Sequence, residues 1–181
     1  RRLDSKILEA FLNARLHPEL LAHPQRECLH ERLEAARRDA EVALCTAPGG
    51  SASSAKASKR LDSDAMRKSV RGQGTNTRYI CDILPHDDPT AAHLLVVEVR
   101  TPAGHSSSYP PHKHDIEAPP TETQLEETYY HRLNPPQGFA FQRVYTDDRS
   151  LDESMAVEDH DVVMVPRGYH PVVVPHGYDS Y

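Results

Sequence analysis

The stretch Pro110-Pro111-His112-Lys113-His114 decides how this 181-residue sequence is interpreted. Its two imidazoles occupy positions i and i+2, so an extended backbone places both on one face, about 6 to 7 Å apart at Cα. That separation suits one metal ion held by both rings. Because histidines are also common in surface turns, the pair predicts a metal site only if other elements supply further ligands.

Two later segments supply such ligands. Glu126-Glu127-Thr128-Tyr129-Tyr130-His131 is typical of a strand in which Glu127, Tyr129 and His131 share one face. A carboxylate on the inward face of a barrel is costly unless it is paired or bound to a metal. Pro166-Arg167-Gly168-Tyr169-His170 is a turn that places His170 at the start of another apolar strand. The four side chains that could converge inside a small barrel are His112, His114, Glu127 and His170.

The part of the chain around these residues has the pattern of a mainly β domain. Short runs with a period near two are separated by Pro and Gly clusters, as in a sandwich or a small barrel. The predicted strands are Arg78–Leu84, His93–Arg100, Thr128–Leu133, Phe139–Tyr145, Val162–Val165 and Pro171–Val174.

The N-terminal part has a different pattern. Apolar residues recur at helical spacing over residues 5–16 and again from Gln25 onward, which predicts two helices. Ala47-Pro48-Gly49-Gly50-Ser51 opens a small, polar, aperiodic stretch that is typical of a flexible connector. We therefore expect a helical segment over residues 1–46, a linker over residues 47–70 and the β domain over residues 71–181.

Composition narrows the functional classes. The net charge of −6 gives no electrostatic support to a nucleic-acid partner. The longest apolar runs fall far below the roughly 20 residues that span a bilayer, so no membrane protein is expected. The three cysteines lack metal-type spacing, and the N-terminus has no apolar signal region, which favours the cytoplasm.

At the histidine and glutamate motifs the sequence resembles the cupin superfamily. Longer stretches resemble one family within it, the 5-deoxy-glucuronate isomerases of bacterial myo-inositol catabolism, over about residues 40–181. These stretches are Arg71-Gly72-Gln73-Gly74-Thr75-Asn76-Thr77-Arg78, Ser107-Ser108-Tyr109-Pro110-Pro111-His112-Lys113-His114-Asp115, residues 126–139, residues 143–153 and residues 165–171.

The resemblance implies a cupin-type jelly-roll barrel, the second cupin of a two-cupin family. It also implies a metal-dependent aldose-ketose isomerase that converts 5-deoxy-D-glucuronate, a small uronate-type sugar acid, to 5-dehydro-2-deoxy-D-gluconate. Carried over by motif, the ligands of the divalent ion (zinc, manganese or iron) are His112, His114, Glu127 and His170. Because the segment between His114 and Glu127 is longer than the usual cupin spacing, Glu126 stays an alternative ligand.

The resemblance further implies a truncated or rearranged member, because residues 1–38 are too few to replace a first cupin and the family continues beyond Tyr181. We expect the barrel to be C-terminally incomplete, with an open sheet edge that a second copy in a homo-oligomer could cover. The alternative to an isomerase is therefore a poorly active or non-catalytic remnant. A cupin dioxygenase is a weaker alternative, since the same ligands can hold iron.

An isomerase also needs a group that binds the substrate carboxylate and a group that carries protons. Arg143 and Tyr145 share a face of one strand, and an inward Arg143 could bind a carboxylate with two parallel hydrogen bonds. A pair between Arg143 and Asp147, Asp148 or a neighbouring chain is an equal alternative. Tyr129 and His131 are candidate proton carriers, and core packing is the alternative for both.

Overall fold

The computed structural model describes residues 61–89 and 93–181. The chain divides into two compact units, and the one that contains the motifs comprises Met66–Pro85 and Val96–Tyr181. The predicted helices over residues 1–46 lie outside the described residues. Within the described ranges, no helix is long and apolar enough to cross a membrane.

The described chain is built from short antiparallel strands. The strands are β1 (Arg67–Arg71), β2 (Arg78–Leu84), β3 (Val96–Arg100), β4 (Ser106–Ser107), β5 (Glu127–Tyr130), β6 (Leu133–Asn134), β7 (Phe139–Tyr145), β8 (Asp152–Glu158), β9 (Val162–Val165), β10 (Val172–Val173) and β11 (Asp179–Ser180). They form four groups of paired strands, in the orders β1-β2-β3, β4-β10-β7-β8, β11-β6 and β5-β9. A 3-10 helix, Gly74–Asn76, lies between β1 and β2.

Strand β7 shows how the sequence produces this architecture. Along Phe139–Tyr145, the residues Ala140, Gln142 and Val144 are buried, whereas Phe141 and Arg143 are exposed. This alternation is the period of two that a strand with one core face requires. The apolar core lies behind this face and consists of Leu133, Ala140, Val144, Val157, Val163, Val165, Val172 and Val174.

The structure corrects the predicted linker. Strand β1 begins at Arg67, inside the segment that we expected to be a connector up to residue 70. All five of its residues are exposed, so no apolar alternation marks it in the sequence. Strand β8 was missed for a similar reason, since Val157 is its only buried residue. When a strand is exposed on both faces, its position is determined by pairing with the neighbouring strand and is not visible in its hydropathy pattern.

Candidate functional site

Three of the predicted ligands form a compact cluster, named here the histidine cluster: His112, His114 and His170. One ring nitrogen from each residue lies within 4.8 Å of the nitrogens of the other two. Two ligands bonded to one ion at about 2.1 Å lie at most roughly 4.2 Å apart, so small side-chain rotations suffice to bring all three to one ion. Exposure grades from the exposed His112 to the buried His170, so the cluster opens to solvent at one side.

The backbone fixes which nitrogen of each ring is available. The His170 Nδ1–H donates to the Gly168 carbonyl at 3.0 Å, and the His114 Nδ1–H donates to the Thr123 carbonyl at 3.2 Å. A carbonyl is only an acceptor, so Nδ1 carries the proton and the Nε2 lone pair of each neutral ring faces the cluster. This arrangement is the usual one for metal-ligating histidines.

The carboxylate of Glu127 bridges two of these rings. Its Oε1 lies 3.1 Å from His114 Nε2, and its Oε2 lies 3.5 Å from His170 Nε2. Although His170 Nε2 is buried, it has no hydrogen-bond partner within the described residues. Carboxylate oxygens this close to imidazole nitrogens need a cation between them, either a proton or a metal ion. The donor set therefore fits a divalent ion.

The third ring is also suited to ligation. His112 as a whole residue is exposed, yet partial desolvation of its ring lowers its pKa, and the neighbouring His170 and His114 lower that pKa further. A hydrogen bond to the Pro110 carbonyl and the charge of Glu127 oppose this shift. The net effect favours the neutral imidazole, which is the form that binds metals.

The two segments that carry the cluster are linked directly. The Gly168 backbone N–H donates to Asp115 Oδ1 at 2.6 Å, which ties the residue after His114 to the turn before His170. Glu122 Oε1 in turn accepts the Asp115 backbone N–H at 2.6 Å. Sequence reasoning missed Asp115, whose only signal was its position directly after the His-x-His pair.

The expected strand for His112 and His114 is not observed. Residues 111–114 have no regular secondary structure and lie outside every strand, so the two rings converge without a sheet ladder behind them. Their ring centroids are 5.1 Å apart at nearly right angles. Prolines on the N-terminal side explain the lack of pairing, since proline cannot donate to a ladder.

Glu127, Tyr129 and His131 share one face, as their spacing predicts. The Tyr129 ring lies 5.8 Å from the His170 ring, and the Tyr129 hydroxyl is 2.9 Å from Ser108 Oγ. Burial, and then the charge of Glu127, raise the pKa of Tyr129 well above its usual value. Tyr129 therefore holds its proton beside the histidine cluster at neutral pH.

His131 lies deeper on the same face. Its ring is buried, stacks on Tyr129 and donates from Nε2 to Gln142 Oε1 at 2.9 Å. Burial lowers the pKa of His131, and the Gln142 hydrogen bond offsets only part of this effect. Gln142 Nε2 is buried and has no partner among the described residues. Gln142 is a polar core residue that sequence reasoning missed, because a buried glutamine has no signal beyond strand parity.

Of the two orientations considered for Arg143, the inward one is not observed. Arg143 lies on the exposed face of β7, where its Nε and Nη2 donate to the two carboxylate oxygens of Asp152 at 2.7 and 2.8 Å. The buried face of β7 is formed by Ala140, Gln142 and Val144, which alternate with Arg143 along the strand. Tyr145 contacts Arg143 from the ring face and stacks on Tyr169, with ring centroids 5.1 Å apart. Among the described residues, the side chains of Arg143 and Tyr145 make no hydrogen bond or ring contact with the histidine cluster.

Glu126, the alternative ligand, is exposed and precedes β5. It lines an open cleft of about 620 Å³, together with His114, Arg167 and neighbouring residues. Glu127, not Glu126, reaches the rings of His114 and His170. Strand parity therefore separates the two adjacent glutamates.

The strand arrangement, with the histidine cluster beside its core, defines the class of the protein as a cupin-type barrel, as the sequence predicted. The chain belongs to the KduI/IolB family, whose model matches residues 29–181.

Individual relatives support this assignment. The chain is 58% identical over 142 residues to a 5-deoxy-glucuronate isomerase of Halalkalibacterium halodurans, covering 78% of this chain and 52% of that protein. It is 57% identical over 143 residues to the 5-deoxy-glucuronate isomerase of Bacillus subtilis, covering 79% and 52%. The crystal structure of an IolB-like protein from Salmonella typhimurium matches with a TM-score of 0.62 and 59% identity, covering 65% of this chain and 44% of that chain.

The resemblance to the 5-deoxy-glucuronate isomerase family is thereby confirmed. The chain spans about half the length of the curated relatives that it matches.

Proposed function

We propose that this chain provides the metal-binding barrel of a 5-deoxy-glucuronate isomerase, which interconverts an aldose and a ketose form of a small uronate. The observation that carries the proposal is the histidine cluster bridged by Glu127, in a chain 58% identical to such an isomerase. The expected cytoplasmic location accompanies this proposal.

The residues that would hold the ion are His112, His114, His170 and Glu127. Zinc, manganese or iron suits this mixed set of imidazole and carboxylate ligands. A divalent ion bound there would supply Lewis acidity to the carbonyl and hydroxyl oxygens of the substrate. The exposed side of the cluster, at His112, leaves room for substrate to approach.

Isomerisation removes a proton from the carbon next to the aldehyde and returns a proton to the aldehyde carbon. The Tyr129 hydroxyl lies next to the cluster and keeps its proton at neutral pH, because burial raises its pKa. Its hydrogen bond with Ser108 fixes the hydroxyl position. We assign Tyr129 the role of hydrogen-bond donor to a substrate oxygen in which negative charge develops.

The alternative is a barrel that binds metal without turnover. It has a specific basis, because the curated relatives are about twice as long as the matching part of this chain. Metal binding requires only the four ligands, whereas catalysis requires a complete and rigid site. The two functions therefore predict the same metal content and different activity.

The test combines metal analysis by mass spectrometry with a turnover assay on 5-deoxy-glucuronate, using one purified sample. We expect about one divalent ion per chain and measurable turnover. The change His112→Ala should abolish both, since it removes one of the four ligands. His160→Ala is the matched control, because His160 lies on a turn outside the cluster with its side chain 52% exposed.

Metal binding without turnover would favour the non-catalytic alternative. Unchanged metal content in the His112→Ala variant would contradict the proposed site.

A further inference from the structure

Two arginines face each other at the end of the β1–β2 hairpin. Arg71 and Arg78 are directly paired across the antiparallel strands. Like charges in this position destabilise a sheet. Within the described residues neither arginine has an acidic partner, in contrast to Arg67, Arg100 and Arg143, each of which pairs with an aspartate. The hairpin therefore concentrates positive charge that an anion would neutralise.

Arg78 is the inward member of this pair. It shares a strand face with Ile80, which is 5% exposed, and is itself half-buried. Desolvation, and then the charge of Arg71, lower the pKa of Arg78. Its Nη1 donates to the backbone carbonyl and the Oδ1 of Asn76, at 3.1 and 3.0 Å. The Nε and Nη2 donors have no partner in the described part of the chain, so much of the guanidinium fork is available.

The loop between the strands is shaped around this guanidinium. Gly72 has φ of +78°, and a Cβ on it would lie 2.0 Å from the Asn76 carbonyl oxygen and 2.8 Å from Arg78 Nη1. Only glycine fits this conformation and this space. The fixed loop holds the guanidinium in place before any ligand arrives, which lowers the entropic cost of binding.

The same loop is attached to the segment that carries the histidine cluster. Asn76 Nδ2 donates to the Tyr109 carbonyl at 2.9 Å, and the His105 ring hydrogen-bonds the Thr77 carbonyl at 2.8 Å. Tyr109 precedes His112 by three residues, which span at most about 11 Å. The arginine pair and the cluster therefore flank one short segment of chain.

We infer that Arg78, assisted by Arg71, binds the carboxylate of a small sugar acid whose other end faces the histidine cluster. The inference rests on the proposed function and deepens it by naming the residues that select an acid over a neutral sugar. Guanidinium groups bind carboxylates with two parallel hydrogen bonds, a geometry that the free donors of Arg78 allow. Arg143, the arginine that the sequence suggested for this role, is already engaged by Asp152.

The test is calorimetric titration of the full chain, with its metal content measured on the same sample. The probes are D-glucuronate and D-glucose, which differ only in the carboxylate. The wild type should bind glucuronate at least tenfold more tightly than glucose. Arg78→Gln should weaken glucuronate binding by about 10- to 100-fold and leave glucose binding and metal content unchanged. Arg78→Lys should retain part of the preference, because it keeps the charge without the fork.

Two further variants make the result specific. Arg71→Gln, which changes an exposed side chain and is expected to fold, should lose several-fold in glucuronate affinity. Arg143→Gln is the matched control and should change nothing.

The inference would be overturned by a wild type without preference for glucuronate, by an Arg78→Gln variant that keeps the preference, or by equal losses for both sugars. A loss in Arg143→Gln, or in Arg167→Gln beside His114, would place the carboxylate elsewhere. If the wild type prefers D-glucuronate over D-glucose but does not turn over 5-deoxy-glucuronate, only the proposed isomerase activity is contradicted.

Discussion

Replacement of Asp115 by alanine tests how the two ligand-bearing segments are held together. Asp115 Oδ1 accepts the Gly168 N–H at 2.6 Å and directly links the segment of His112 and His114 to the turn before His170. A hydrogen bond to a charged group contributes about 1.5 to 3 kcal/mol. Loss of a partner that orients metal ligands typically weakens metal binding by about 10- to 100-fold.

We therefore expect Asp115→Ala to lower the free energy of unfolding by roughly 1.5 to 3 kcal/mol and zinc affinity by about 10- to 100-fold. Urea unfolding followed by circular dichroism measures the first, and competition with a chromophoric chelator measures the second. Asp152→Ala is the control, because Asp152 pairs with Arg143 on the exposed face of β7 and not with either ligand-bearing segment. Zinc affinity within twofold of wild type in Asp115→Ala would refute this reasoning.

Three more outcomes are expected. The single changes His131→Phe and Gln142→Leu should each lower the free energy of unfolding in urea by about 1 to 3 kcal/mol, because each leaves the other side chain without its hydrogen-bond partner. The double variant should lose less than the sum of the two, because it removes both polar groups of this hydrogen bond. Burial lowers the pKa of His131, so its stabilising effect is present above pH 6.5 and is lost as the pH falls; acid should destabilise wild type more than His131→Phe. Gly168→Ala, whose Cβ would lie 2.5 Å from a backbone carbonyl oxygen, should displace His170 and reduce metal content, whereas Gly177→Ala, with open space and a similar φ, should not.

Much of the fold could be predicted from hydropathy. Strands β2, β7 and β9 occur at the predicted residues: β7 and β9 bury alternate side chains, and β2 buries Ile80 and Ile83. Strands β1 and β8 could not be predicted this way, since their residues are nearly all exposed and their position depends on the neighbouring strand. A hydropathy pattern arises where side chains are buried, and an edge strand buries few of its side chains.

In the candidate site, too, local sequence patterns predicted some features, whereas features that depend on contacts between distant residues were not predicted. Strand parity correctly placed Glu127, Tyr129 and His131 on one face. Parity could not choose which face of β7 is buried, so both orientations of Arg143 stayed open until the structure placed its neighbours Gln142 and Val144 in the core. Contacts such as that between Asp115 and Gly168 join positions 53 residues apart, and no local pattern encodes them. The predicted roles of the ligands and of the homo-oligomer stay predictions.

The loop position of His112 and His114 has a dynamic consequence. No strand ladder crosses residues 111–114, and side-chain acceptors such as Glu122 hold much of the segment that follows. Segments with few ladder bonds open at a small fraction of the global unfolding free energy. This part of the chain can therefore detach and return while the sheet around β7 stays folded. The rate at which a bound metal ion enters or leaves the site is then set by this local opening and not by the unfolding rate of the barrel.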